Sequence, residues 1–514
     1  MTEENDIKLL VDHSRELRER YLDDPYRPGY HFVVPEGCHS PVDPNGALFW
    51  NGLYHLCYIY QSDSKHYWGH ISSVDMVHWR HHPPALGPGD GDDGIFSGGA
   101  FIDENGVATI SYWGLRSTDG ICIATSTDPD LNVWVKNPQN PVIPSTKWGY
   151  AEIPAADGGE PVYYGTADPS QIWHHDGRYY MLTGNLLVLR EIGEKENKPE
   201  HLGDTLYLFV SDDLTNWTYL HKFYESKREW TRDFEDDMCP DFFQLPASPD
   251  GGSMSDKHMI LFISHTLGCQ YYIGDYKNDY YIPENHGRMT WVDNEFFAPE
   301  SLLDDHGRRI MWSWIFDRRE QATKETSGWS GELSLPRLLW LGEDGTLRIR
   351  PVPELESLRY NPAAQENIIV PANSTKVVEK ISGNSLELAI EILPGAASKC
   401  GIKLCCSPDG EEETLVYYDA TTQTLNVDTR NSSLGEGTKA IESAPFALQT
   451  GDTLKLRIFI DKSVVDVFAN DRQAIARHIY PTRADSTVIA FFAEGGDMQV
   501  VKVNSWQMIP SNPW

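Results

Sequence analysis

Between residues 51 and 314 one short pattern recurs five times: a turn, carrying Gly in four copies, followed by an apolar strand rich in aromatic residues. The copies span 51–60, 105–113, 176–182, 256–263 and 306–314, and the fourth lacks the glycine. Three of them run on into a second signature, a Ser and an Asp followed shortly by Trp: Ser73, Asp75 and Trp79; Ser126, Asp128 and Trp134; Ser211, Asp213 and Trp217. A supersecondary unit of this size cannot bury its apolar face alone and has to pack against its own copies. Five hairpins in matching phase, separated by loops of unequal length, predict antiparallel sheets arranged radially, a five-bladed β-propeller. A β-sandwich with irregular loops is the alternative, and the matched phase favours the propeller. With 41 Gly, 32 Pro, 16 Trp, 25 Tyr and 18 Phe in 514 residues, the composition suits many short strands and turns rather than helical bundles.

The flanks read differently. Residues 1–30 form a lead-in, partly helical, with apolar residues at helical spacing from Ile7 to Tyr21 and an end set by Pro25 and Pro28. The repeats then occupy 31–355. Pro351, Pro353, Asn361-Pro362 and Pro371 mark residues 356–375 as a linker, and from 376 to 514 period-two alternation between turn signals predicts a β-sandwich. The expected class is therefore all-β, a five-bladed propeller followed by a C-terminal sandwich.

A formal net charge of −33 argues against nucleic acid or an anionic membrane as partner and suits a neutral or cationic small molecule. The polar, acidic start is unlike a secretory signal, and no apolar run approaches the ~20 residues that span a bilayer. The eight Cys are scattered without a CxxC pair, so free thiols in a cytoplasmic protein are expected, with no metal site and no cofactor.

Aligning the repeats on the turn exposes a candidate site. Counting back the same distance from Gly52, Gly177 and Gly307 reaches Pro44, Pro169 and Pro299; the same count from Gly106 reaches Gly98, and the fourth unit offers Pro240. The residues just before are Asp43, Ser97, Asp168, Cys239 and Ala298. Innermost propeller strands converge on the axis, so these five positions form a ring at one mouth. Two carboxylates in that ring, Asp43 and Asp168, are apart in sequence and close in space. Such a pair can do acid–base or nucleophilic work on a glycosidic bond; a solvated rim or an axial calcium site is the bland reading.

Several ordered blocks then carry a family resemblance. Residues 26–32 leading to Asp43-Pro44-Asn45-Gly46, the block 68–73 from Trp68, the block 92–100, Cys239-Pro240-Asp241, Phe297-Ala298-Pro299, the block 329–337 and the block 461–470 together resemble glycoside hydrolase family 32. These are the invertases, inulinases and levanases that act on fructofuranosides, and the resemblance covers almost the whole chain. It implies the same propeller-plus-sandwich fold, with Asp43 as nucleophile and Asp168 as the aspartate that stabilises the transition state through sugar hydroxyls. It puts Gln61, Trp68, Phe96, Ser97 and Trp329 at positions that line the fructosyl subsite, and Asn45, Met238 and Glu295 are expected to bind substrate beside them.

Three departures from the family share one register. Val42, Ala167 and Met238 stand where the family has Asn, Arg and Glu, and with Phe96 and Phe297 they make that layer apolar. Met238 takes the place of the general acid and base, and a thioether has no proton to give. A neighbouring carboxylate is the expected substitute. Asp237 comes first, because period two puts it on the same side as Cys239; Glu235 is next, and Glu295 and Glu300 are in range. A good leaving group that needs little acid, or a site that binds sugar without cleaving it, are the competing explanations. The resemblance thus implies a retaining glycosidase acting on β-fructofuranosides of the sucrose or fructo-oligosaccharide kind, with an atypical acid ~5 Å from Asp43. A fructosyl transferase, an enzyme of arabinofuranosides or a non-catalytic sugar-binding protein stand as alternatives.

Overall fold

The five repeats form the second strands of five antiparallel sheets in the computed structural model, which describes residues 3–116, 119–155, 158–449 and 451–512. These strands are Leu53–Ser62, Ala108–Gly114, Arg178–Gly184, Met254–Ser264 and Arg309–Ile315. They are apolar along much of their length because neighbouring blades cover both faces; Ala108–Gly114 and Arg309–Ile315 are buried throughout. Each pairs inward with an innermost strand: Pro44–Trp50, Ile95–Ile102, Ala167–Pro169, Met238–Pro246 and Phe296–Leu303. Every innermost strand touches the next, and the first also touches the fifth, so the ring closes into a five-bladed propeller. The Ser–Asp–Trp signatures end in side-chain-capped turns: Asp75 accepts from the backbone N–H of Val77 and His78, and Asp213 from those of Thr215 and Asn216.

All five innermost strands break register, across the aligned ring position in blades two to five and just beyond it in blade one. The breaks fall between Asn45 and Leu48, Ile95 and Gly98, Ala167 and Pro169, Met238 and Asp241, and Phe297 and Glu300. Asp168, Cys239 and Ala298 sit there with φ of 44°, 49° and 47°, and Gly46 with φ 55°. A bulge of this kind turns two successive side chains toward one side. Period-two reasoning therefore fails at the ring, and with it the expectation that Asp237 shares the side of Cys239.

The C-terminal unit is a sandwich of two six-stranded sheets over an aliphatic core that includes Leu388, Ile402, Val416, Ile458 and Phe491. The stretch expected as a linker is not one. Arg359–Val370 is a strand of the sandwich, paired with Met498–Met508. Its Asn361-Pro362 sits in a register break on an edge strand, a place where a proline's missing N–H is tolerated. The connection is the short helical turn Pro353–Leu358.

The lead-in is a helix, Glu3–Asp23, whose Tyr21 packs with Val33 and Trp329. After it the chain is tied to the sandwich by the Asp461 carboxylate, which accepts the backbone N–H of Gly29, Tyr30 and His31 at 2.7, 2.8 and 2.8 Å. Among the described residues no helix is long and apolar enough to cross a membrane.

Candidate active site

At the mouth of the propeller axis the bulged ring opens into a cavity of about 500 Å³. Because each bulge presents two consecutive residues, the floor carries Phe96 with Ser97 and Met238 with Cys239, together with Asp43, Asp168 and Phe297. Trp113, Trp148, Trp314 and Phe316 stand among the lining side chains. An apolar rim of this kind lowers the local dielectric around the two carboxylates.

Asp43 and Asp168 are each held by the next ring member. Ser97 Oγ donates to Asp43 Oδ2 at 2.8 Å, and Cys239 Sγ donates to Asp168 Oδ2 at 3.5 Å. The other oxygen of each, Oδ1, is buried and lacks a hydrogen-bond partner among the described residues. The backbone carbonyl of Asp43 is fixed by the Ile59 N–H at 3.0 Å and the Asn45 side-chain amide at 2.8 Å. Burial pushes the Asp43 carboxyl up to about 7; the Ser97 hydrogen bond opposes this and Asp168 adds to it. Burial likewise pushes Asp168 up to about 6, against the charge of His265. Two desolvated carboxylates with open oxygens, on blades one and three, can attack or stabilise a carbon that becomes cationic, and can bind hydroxyl groups.

The other expected residues divide by place. Phe96, Ser97 and Met238 line the cavity. Asn45, Gln61 and Trp68 support it from behind. Asn45 Oδ1 accepts the Gly98 N–H at 2.9 Å, Gln61 donates to the carbonyl of the wall residue Ser40 at 3.1 Å, and buried Trp68 donates to the Phe96 carbonyl at 3.2 Å. Glu295 and Trp329 lie elsewhere. Glu295 accepts the His478 N–H at 2.7 Å and pairs with Arg477 at 3.1 Å, which fastens the fifth blade to the sandwich. Trp329 donates to Asp24 at 2.7 Å beneath the lead-in helix, with the Arg319 guanidinium over its ring.

The carboxylates expected to replace the acid are also engaged outside the cavity. Asp237 accepts from Tyr224 at 2.6 Å, its backbone is bonded to Asn185, and burial raises its carboxyl well above the usual range. Glu235 pairs with Arg288 at 2.9 Å and accepts from Gln270. Glu300 accepts the Ala47 N–H at 2.9 Å beneath the ring. None of the three lines the cavity.

Sequence reasoning missed His265. It stands in the tight turn after the strand Met254–Ser264 and lines the cavity. Met238 pairs with Ile263, so the same antiparallel register places Asp236 opposite His265, two residues further toward the mouth. Asp236 accepts both the His265 backbone N–H at 3.0 Å and its ring Nδ1 at 2.7 Å. A signal was available: once blade four is drawn as a hairpin, the acid two places before Met238 meets the only His of that turn.

Residues 31–351 match the N-terminal domain of glycosyl hydrolases family 32, and residues 354–507 match the C-terminal domain of that family. The chain is 30% identical over 528 residues to a levanase of Bacillus subtilis (strain 168), an overlap of 95% of this chain and 71% of that protein. It is 29% identical over 524 residues to a sucrose-6-phosphate hydrolase of Escherichia coli, covering 94% and 95% of the two chains. The crystal structure of fructan 1-exohydrolase IIa from Cichorium intybus shares the fold, with a TM-score of 0.80 at 24% identity over 95% of this chain and 98% of that one. With both domains matched along nearly its whole length, the chain belongs to glycosyl hydrolase family 32.

Proposed function

We propose that this protein is a retaining glycosidase acting on β-fructofuranosides of the sucrose or fructo-oligosaccharide kind. The observation that carries the reading is the pair Asp43 and Asp168, both buried, both with an oxygen that has no partner among the described residues, on one cavity. Asp43 is the nucleophile: its carboxylate attacks the anomeric carbon and forms a fructosyl-enzyme ester, which water then resolves. Ser97 orients Asp43 for the attack. Asp168 accepts hydrogen bonds from sugar hydroxyls and opposes the positive charge that builds on the furanose ring. Phe96, Met238 and Phe297 line the cavity with apolar surface, and Met238 does so where the wider family has Glu, which favours a fructoside with an apolar flank. The matched relatives named levanase and sucrose-6-phosphate hydrolase support a fructoside substrate. The eight cysteines are thiols rather than disulfides, six of them buried, which supports a reducing, cytoplasmic setting.

Met238 favours a second reading, a protein that binds fructosides without cleaving them. Incubation with sucrose, inulin, levan and aryl fructofuranosides separates the two. Release of fructose by the wild type and its loss in Asp43→Asn is the expected result. Calorimetric binding of these sugars with no turnover of any of them by the wild type favours the binding protein. Fructosyl transfer, rather than hydrolysis, would be read from the ratio of oligosaccharide to free fructose at high sucrose concentration.

A further inference from the structure

We propose that His265, clamped by Asp236, is the proton donor and acceptor that stands in for the acid missing at Met238. This rests on the reading of the cavity as a retaining furanosidase site. In the first half-reaction Asp43 forms its bond to the anomeric carbon, the bond to the leaving oxygen breaks, and that oxygen takes the proton from His265 Nε2. In the second, neutral His265 takes a proton from water as its oxygen attacks the anomeric carbon and the Asp43 ester is released as carboxylate. Protons and charge balance over the cycle, and no further reactant is required.

Geometry selects this residue. Among the described residues, the titratable side chains lining the cavity besides Asp43 and Asp168 are Arg116, Cys239 and His265. Arginine does not release its proton in proteins. The Cys239 thiol already donates to Asp168, and burial raises it well above its ordinary range. His265 remains. Its Nδ1 is committed to Asp236, which leaves Nε2 as the nitrogen for the cavity. The ring is fixed as well as polarised: Asp236 also holds its backbone N–H, Asn294 donates to its carbonyl, and Phe297 packs edge-on at 5.6 Å between ring centroids. The side chain is 37% exposed, so water can reach it in the second half-reaction.

The charges facing the ring favour a donor. Asp236 and Asp168 face it from blades four and three, Asp43 from blade one, and Arg190 from the helical segment after blade three's second strand. Burial pulls the imidazolium down, but Asp236 and Asp168 outweigh burial and Arg190, and the net direction is upward. A carboxylate behind Nδ1 holds the ring in one orientation and stabilises its protonated form. Asp236 is accordingly a positioning residue.

The test measures kcat/KM for a series of β-fructofuranosides whose leaving groups run from nitrophenols to simple alcohols. The proteins are the wild type, Asp43→Asn, His265→Gln, Asp236→Asn and Asp237→Asn, each checked for folding by thermal unfolding. In His265→Gln the nitrophenyl substrate should keep its rate within about tenfold, while alkyl fructosides and sucrose lose roughly 10²- to 10⁴-fold. Added azide should speed turnover of the nitrophenyl substrate by this variant and yield fructosyl azide. The alkaline limb of the kcat/KM profile should vanish in His265→Gln and move to lower pH in Asp236→Asn. An active wild type with unchanged leaving-group dependence and alkaline limb in His265→Gln overturns the assignment alone. Transfer of those effects to Asp237→Asn does the same and names that carboxylate. Failure of the wild type on the whole series overturns the furanosidase reading and this assignment with it.

Discussion

Replacing Asp43 by Asn should abolish turnover and, at alkaline pH, make the propeller more stable. Burial raises the Asp43 carboxyl from 3.8 to about 7 in the folded protein. The folded state therefore keeps its proton to higher pH than the unfolded chain, and this group's contribution falls as pH rises from about 4 to 7. Each pH unit of difference corresponds to about 1.4 kcal/mol, so ionised Asp43 costs about 4 kcal/mol above pH 7. Asn has nearly the same shape, can accept the Ser97 hydrogen bond through its amide oxygen, and carries no charge. Urea unfolding followed by tryptophan fluorescence gives the comparison, with Trp68, Trp113 and Trp314 reporting on the propeller side of the ring. The variant should gain about 2 kcal/mol at pH 5.5 and about 4 kcal/mol at pH 8. An advantage that does not change between the two pH values, or a variant less stable at pH 8, would refute the claim that burial sets the Asp43 charge.

Other perturbations separate roles that the cavity brings together. Ser97→Ala removes the hydrogen bond that lowers the Asp43 carboxyl, so the acidic limb of the kcat/KM profile should move to higher pH; an unmoved limb would detach Ser97 from the nucleophile. Glu295→Gln leaves buried Arg477 and His478 short of a counter-charge and should cost about 3–5 kcal/mol in chemical denaturation while leaving-group dependence stays as in the wild type. Gly46→Ala places a Cβ 3.0 Å from Trp68 at a residue with φ 55°, and thermal unfolding should show a loss of about 1–3 kcal/mol. Met238→Glu added to His265→Gln returns a carboxyl to the ring, and turnover of alkyl fructosides should recover at least tenfold over the single variant.

The legible parts of the molecule were those set by a repeat. The five turns and strands have one phase, and that phase alone places Asp43, Ser97, Asp168, Cys239 and Ala298 at one level of the axis. Misreadings arose where a local rule gave way to a bulge or to a contact between distant segments. The Asp237 expectation assumed strict alternation across Met238, while the strand breaks register there and Cys239 adopts φ 49°. Asn361-Pro362 reads as a linker by composition, yet the edge of a sheet accepts it. Trp329 opens a block that resembles the family's and Glu295 stands two residues before another, but their partners are Arg477, His478 and Asp24, and the spacing of those blocks says nothing of such partners. His265 escaped notice because no motif surrounds it; only the pairing of Met238 with Ile263 brings it to Asp236.

On the proposed assignment the proton comes from an imidazole in the turn after the neighbouring strand and not from a carboxyl at position 238, and this alters the electrostatics of the whole cavity. With Glu at the ring, a site this apolar would hold three carboxyl groups, and each ionisation would oppose the next. A nucleophile desolvated as far as Asp43 needs a nearby cation to be ionised at neutral pH. Protonated His265 is such a cation, since its charge lowers both Asp43 and Asp168. The active combination, Asp43 ionised and His265 protonated, is therefore self-reinforcing, and the two groups titrate as a coupled pair. Once the fructosyl ester has formed, Asp43 carries no charge and His265 has given up its proton, so no uncompensated ion is left between them. Water attack then restores both charges together. Val42, Ala167 and Met238 are explicable on the same ground: with a cation–anion pair in place, further charges at the ring level would compete with it, and apolar side chains keep the field between Asp43 and His265 strong.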